Sequence, residues 1–359
     1  MQELFLTLVR LGIGTATEAD AAAVPAEGVD WEAVGALAYR QGLSAVLLDG
    51  IERCSARVRE SIPLSLRRQW AGHVLQHYEG RYTVYERTIG EMTAFYAAHG
   101  LPMMVLKGYA CSLDWPNPMH RPCGDIDIWQ FGRQKEADAL LRREKRIKVD
   151  ESHHHHTVFS WNGFMVENHY DFVNVHRMRK NAAWERLFKE LAADPERMDK
   201  KECGGAMLYL PSAPLHGLFL LRHMMGHFAA EKITLRHVLD WAFFVRKHGE
   251  ELDWKWFGDT LSQYAKTDFL HVLQAICAED LGFGGKRPQL PPALKERVLA
   301  EILEPEFNEA MPKRLLPRIV LKYRRWRANA WKHRLCFREH LWSSFWTGVW
   351  SHLRKPSSI

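Results

Sequence analysis

The sequence predicts an α+β protein, a small mixed β-sheet core flanked by N-terminal helices and followed by a C-terminal helical domain. Three observations predict it. Apolar residues recur at three- and four-residue spacing up to about residue 98, short strand-like runs replace them from Leu101, and helical spacing returns beyond about residue 181. With 359 residues and 47% hydrophobic content, the chain can supply real cores.

The helical opening is read from Trp31 to Tyr39 and from Ala45 to Leu48, with Gly42 and Gly50 as stops, and then from one long amphipathic helix, Pro63 to His99, ended by Gly100. Met103-Met104-Val105-Leu106 is a short apolar run, Lys107-Gly108 a turn, and Tyr109 to Trp115 a helix-compatible stretch. Pro116, Pro118 and Pro122 impose an extended connection. Asp125 to Trp129 then alternates as a half-buried strand, and a helix follows from Arg133 to Arg143. Asn162-Gly163 between two alternating runs is a strong hairpin signal. Helices are expected at Pro214 to Ala230, Thr234 to Lys247 and Trp254 to Gly282. The chain thus divides into a helical region (1–98), a sheet core (99–180), a helical domain (181–285) and a basic, tryptophan-rich helical tail (286–359).

Six scattered cysteines without a CxxC pair suggest neither a disulfide framework nor a cysteine zinc site, which fits a reducing cytoplasm. The start lacks the features of a signal peptide, and no apolar run reaches membrane length. Net charge is +6, but residues 313–359 hold twelve Lys and Arg against one acid, Glu339, so the rest of the chain is net acidic.

The chemistry concentrates at Gly124-Asp125-Ile126-Asp127-Ile128. Residues two apart on a strand share a face, which puts the Asp125 and Asp127 carboxylates side by side, roughly 7 Å apart at Cα, with Ile126 and Ile128 toward the core. Two carboxylates so placed suit hard divalent cations that neutralise phosphate, whereas burying them uncompensated is costly. Glycine at 108 permits a tight turn, the following helix offers free amides to phosphate, and Lys107 adds a positive charge. Glu167 alternates with His169 on the hairpin and can bring a third carboxylate across the sheet, which makes a two-metal site plausible.

Strand, glycine turn, helix, D-x-D strand and a later single acid resemble the polymerase-β-like nucleotidyltransferases. Leu106-Lys107-Gly108, Arg121-Pro122-Cys123-Gly124-Asp125-Ile126-Asp127 and Val166-Glu167-Asn168-His169 resemble, within that superfamily, the bacterial family called uncharacterised nucleotidyltransferases, over roughly residues 25 to 280. The resemblance implies that Asp125 and Asp127 bind two magnesium ions, with manganese as a substitute, and that Glu167 completes the site beside the acceptor hydroxyl. It implies that Gly108 and Gly124 approach the triphosphate. Where the superfamily has Gly-Gly or Gly-Ser this chain has Gly108-Tyr109, and Lys107 and Arg121 are candidates to replace the missing serine contact. His169 either orients Glu167, touches phosphate or is a satisfied sheet histidine. The implied reaction moves a nucleoside monophosphate from a triphosphate to an acceptor (a sugar phosphate, metabolite, peptide, protein or RNA end) and releases pyrophosphate. The rival reading is an inactive binding or scaffold protein of the same fold, for which Tyr109 is the support.

Other features have plainer readings. His153-His154-His155-His156 would alternate between strand faces and reads as a solvated lead-in to the hairpin. His223 and His227 share a helix face without the acid of a zinc motif, and Asp240 reads as a hydrogen-bonded structural acid. In the tail, a basic stretch precedes Trp342, Trp346 and Trp350 at four-residue spacing, which suits packing on the protein body, nucleic acid, or peripheral contact of residues 313–355 with the inner face of the membrane.

Overall fold

The computed structural model describes residues 1–175, 180–285, 288, 290–307, 312, 314–339 and 342. Six strands form one mixed sheet: β1 (Met104–Val105), β2 (Ile126–Trp129), β3 (His156–Trp161), β4 (Phe164–His169), β5 (Asp199–Cys203) and β6 (Ala206–Leu210), in the order β3-β4-β2-β1-β6-β5. β1 runs antiparallel to β2 and parallel to β6, and β2 runs parallel to β4. The Asn162-Gly163 hairpin forms as its sequence requires, with both residues at positive φ, 49° and 80°. The second hairpin lies in the stretch expected to hold helices alone. It is a correction to that expectation, and it completes the edge of the sheet beside β1.

Alternation along β1 and β2 sends side chains into two separate cores. Val105, Ile126, Ile128 and Val166 pack with Tyr85, Ile89 and Tyr96 of the helix Arg81–Ala97, while Met104, Leu106 and Trp129 join a larger core built by helices from both ends of the chain. The long helix expected from Pro63 to His99 runs as Leu64–Val74, a π turn at Leu75–Gly80, and Arg81–Ala97. The Trp254 to Gly282 stretch is not one helix: it divides into Trp254–Tyr264 and Asp268–Ala275, the latter closing in a π turn.

Gly50 is not a helix stop either, because it lies inside the helix Ser44–Glu52. A Cβ there would stand 2.0 Å from the Leu8 carbonyl oxygen, and one at Gly12 would stand 2.1 Å from that of Val46. Helices Gln2–Ile13 and Ser44–Glu52 therefore touch backbone to backbone, and the glycine serves close packing rather than a turn. Among the described residues no helix is long and apolar enough to cross a membrane. All six cysteines are buried and unpaired.

Candidate active site

Parallel pairing of β2 with β4 sets Asp127 directly opposite Glu167 and Trp129 opposite His169. Asp127 is the buried centre of the site, with 3% of its surface exposed. Its Oδ1 accepts hydrogen bonds from Lys107 Nζ at 2.6 Å and His169 Nε2 at 2.8 Å. Glu167 sits 3.5 Å from His169 Nε2 and 3.7 Å from His156 Nε2. One donor atom each of Asp127, Glu167 and His169 lies within 4.8 Å of the other two. Asp125 stands one residue before β2, half-buried, outside that tight group.

The electrostatics follow from burial and neighbours. Burial favours the neutral form of Asp127, but the ammonium of Lys107 and the ring of His169 outweigh it and hold the carboxyl far below the usual range. Burial pushes the Asp125 carboxyl up, and repulsion from Asp127 adds to it. For Glu167 burial works upward, yet the hydrogen bond with His169 brings the net shift down. His169 loses basicity to burial and regains more from Asp127 and Glu167, ending above its ordinary value. Lys107 behaves alike: burial opposes its charge, and Asp127 restores it and more.

The backbone around the glycine turn is fixed by a contact that the sequence hides. Lys107 has φ 42°, a conformation uncommon for a residue with a Cβ, and from it the helix Gly108–Ser112 begins. A Cβ on Gly108 would meet Tyr85 Oη at 2.8 Å, and that hydroxyl donates to the Asp125 carbonyl at 2.9 Å. Gly108 is thus required by the tyrosine that clamps the D-x-D backbone. Gly124 has no neighbour within 4 Å of where its Cβ would be, so the loop is open there. Tyr109 donates to Glu86 Oε1 at 2.6 Å and accepts from Lys201 Nζ at 2.8 Å, which ties it to the helix Arg81–Ala97 and to β5.

Arg121 is spoken for: Nε and Nη2 donate to the two oxygens of Asp240 at 2.8 and 3.0 Å, and Asp240 also accepts from Trp115 Nε1 at 2.9 Å. Its Nη1, bonded to the Pro122 carbonyl, is the edge nearest Gly108, 3.8 Å from that residue's hypothetical Cβ. Asp240 is the hydrogen-bonded structural acid its setting suggested. The helix Ala213–Ala230 closes over the site, with Phe219 under Lys107 Nζ at 5.7 Å and His223 held neutral by burial and the nearby Lys107 charge. Arg222 turns elsewhere, to Asn181 at 2.8 Å.

The histidine run needs correction. Residues 153–155 form a bend before β3, so strand alternation does not apply to them, and His155 and His156 fold inward instead of into solvent. His156 is 6% exposed and pairs with His169 in register. The signal was present in the sequence as histidines flanking a hairpin strand, but only the bend decides which way they point. Of two further cavities, one of about 410 Å³ is lined by Asp49, Arg53, Trp115 and His120 and one of about 690 Å³ by Arg142 to Glu151. Neither includes a member of the Asp127 cluster, so the chemistry is located by the side chains rather than by these hollows.

No curated protein matches the chain. Among solved structures, it is similar to an antigenic nucleotidyltransferase-like protein from Paracoccidioides brasiliensis, with 11% identity and a TM-score of 0.34 over 56% of this chain and 93% of that one. A family model described as uncharacterised nucleotidyltransferase matches residues 27–282, a span that contains Lys107, Asp125, Asp127, Glu167, His169 and Asp240. The chain belongs to the uncharacterised nucleotidyltransferase family.

Proposed function

We propose that the protein transfers a nucleoside monophosphate from a nucleoside triphosphate to an acceptor hydroxyl or phosphate, with release of pyrophosphate. The observation that carries this reading is the register of Asp127 against Glu167, with Lys107 on the same carboxylate. The donors fit divalent cations, because the Asp127 and Glu167 carboxylates face each other with Asp125 two residues along the chain, while Lys107 and a protonated His169 touch Asp127. Burial raises the Asp125 carboxyl, and repulsion from Asp127 adds to it, so a cation beside it would be favoured. Two magnesium ions, or manganese, held by Asp125, Asp127 and Glu167 would neutralise the triphosphate and stabilise the entering and leaving oxygens.

The chain's own groups do the positioning. Tyr85 and Gly108 hold the Asp125 backbone, Lys107 supplies charge beside the phosphates, and the open loop at Gly124 lets a phosphate approach the backbone. Glu167, the more accessible acid of the facing pair, orients the acceptor, and His169 holds Glu167 and Asp127 in place. The ion pair of Lys107 with Asp127 also supports the rival reading, a fold that binds nucleotide without turning it over, since it satisfies the central acid internally. Thermal-shift titration with each nucleoside triphosphate, with and without Mg²⁺ or Mn²⁺, tests the proposal. A shift that requires both metal and nucleotide is the expected result, and pyrophosphate release then separates enzyme from scaffold. Absence of any metal-dependent shift would overturn the proposal, and absence of any nucleotide-dependent shift would overturn the rival as well.

The tail supports a second reading of location. On the helix Leu315–Ala328, Leu316, Ile319, Val320 and Tyr323 are 75%, 52%, 56% and 49% exposed, an apolar stripe at i, i+3, i+4, i+7, while Leu321 is buried. Arg318, Lys322, Arg324, Arg325 and Arg327 accompany that stripe. Trp342 packs its ring on Trp326 at 5.0 Å, and Trp346 and Trp350 lie outside the described residues. We place the protein in the cytoplasm, peripheral at the anionic inner face of the membrane. The full chain should co-sediment with anionic phospholipid vesicles at low salt and not with neutral ones, and Ile319→Glu with Val320→Glu should abolish this. Equal recovery with both vesicle types would sink it.

A further inference from the structure

We propose that His155, His156 and His169 bind a borderline divalent transition ion such as Zn²⁺, at a nitrogen-rich position adjoining the carboxylates. One ring nitrogen from each lies within 4.8 Å of the other two. A tetrahedral ion with Zn–N bonds of about 2.0–2.1 Å needs ligand nitrogens about 3.3 Å apart, which ring rotations of this order reach.

The position is built rather than incidental. The carbonyl of His155 accepts hydrogen bonds from both Tyr170 and Asp171 N–H groups at 3.1 Å, which anchors the bend that turns its ring inward. His156 faces His169 across the β3–β4 ladder, with ring centroids 5.2 Å apart, and His155 lies 4.3 Å from His156. The Nδ1 atoms of His155 and His156 are buried without a hydrogen-bond partner, an arrangement rare for polar atoms unless something else satisfies them. His169 Nδ1 lies 3.2 Å from the Asp171 carbonyl, which orients the ring as ligating histidines are commonly held, and the Nε2 proton now donated to Asp127 would be released when the ion binds. Glu167, 3.7 Å from His156 and 3.5 Å from His169, is within reach as an oxygen ligand. Imidazole donors favour Zn²⁺, Co²⁺ or Ni²⁺, whereas carboxylates and water suit Mg²⁺, so the two donor sets select different ions.

Bound there, the ion would fasten the edge strand β3 to β4, the strand that carries Glu167 and His169. This inference stands on the histidines and does not require nucleotidyl transfer. Tag-free full-length protein is dialysed against Zn²⁺, and Co²⁺ is used as the visible-absorption probe. One Zn²⁺ per chain is expected, with a Co²⁺ spectrum of four- or five-coordinate character. His155→Ala and His156→Ala should each weaken Zn²⁺ binding at least about 100-fold, the upper end of what loss of even an outer partner costs. Asp125→Asn should leave Zn²⁺ binding intact while removing magnesium-dependent turnover, which distinguishes failure of one proposal from failure of the other. Because a variant could misfold, imidazole nitrogen NMR of the unaltered protein supplies a second reading, with shifts on Zn²⁺ addition expected at these three rings. Binding that disappears with His153→Ala and His154→Ala but survives His155→Ala and His156→Ala would overturn the site, as would the absence of stoichiometric Zn²⁺.

Discussion

Asp125→Asn and Asp127→Asn are expected to silence transfer alike while moving stability in opposite directions. Each removes a carboxylate from the proposed cation site. Metal ions held at a site of that kind contribute several kcal/mol to the transition state, so turnover should fall by at least about 10³-fold at 1.36 kcal/mol per factor of ten. Stability separates the two. The Asp125 carboxyl titrates above its ordinary value because of burial and repulsion from Asp127. Its ionised form is therefore disfavoured in the fold, a destabilisation present at neutral pH and relieved as pH falls through the folded pKa. Asparagine removes that charge, and the Tm should hold or rise. The Asp127 carboxyl is held low by Lys107 and His169 against its burial, so it stabilises above the unfolded pKa and that stability is lost as pH falls through the folded one. Replacing it leaves the Lys107 ammonium buried without its partner, at a cost of about 3–5 kcal/mol in chemical denaturation. An active Asp125→Asn would sink the reaction, and an Asp125→Asn that unfolds as easily as Asp127→Asn would make Asp125 a structural acid.

That contrast bears on what a sequence can carry. D-x-D alternation predicts two carboxylates on one strand face, yet β2 begins at Ile126 and Asp125 stands before it, outside the tight group, whereas the Asn162-Gly163 turn fixes the β3–β4 register and with it the positions of Glu167 and His169. The facing of Asp127 with Glu167 is a parallel pairing across some forty residues, which spacing permits but does not dictate. β5 was missed because Asp199-Lys200-Lys201-Glu202 shows no alternation: it is an edge strand, mostly exposed, whose polar residues protect an open edge. Its turn, Gly204-Gly205 with φ 64° and 77°, was a signal that could have found it. The break at Ala265 between two helices carries no Gly or Pro. Its cause is tertiary, since the Lys266 N–H leaves the helix to donate to the Cys336 carbonyl at 3.1 Å. Tyr85 is another such case: nothing in a helical tyrosine announces that its hydroxyl will hold the Asp125 carbonyl.

Asp240→Ala should be among the most damaging single substitutions away from the acids, because it strips a bidentate partner from an arginine 6% exposed and also strands Trp115 Nε1. Breaking such a pair costs about 3–5 kcal/mol, chiefly as the penalty of an uncompensated buried charge. Arg236 aggravates it, being depressed by burial and by Arg121, so that without Asp240 two guanidinium groups repel. The double change Arg121→Met with Asp240→Leu removes the charge together with its partner and should recover most of that stability, which a double-mutant cycle by guanidinium unfolding measures. The same pair decides what Arg121 does for the reaction. If the guanidinium only pins the loop before β2 to the helix Leu235–His248, restoring stability restores the KM for nucleotide. If Nη1 beside Gly108 also touches phosphate, the KM stays at least about tenfold high in a well-folded protein, since a charged hydrogen bond contributes about 1.5–3 kcal/mol. We expect the second outcome. A refolded double variant with unaltered KM would make Arg121 a positioning residue alone.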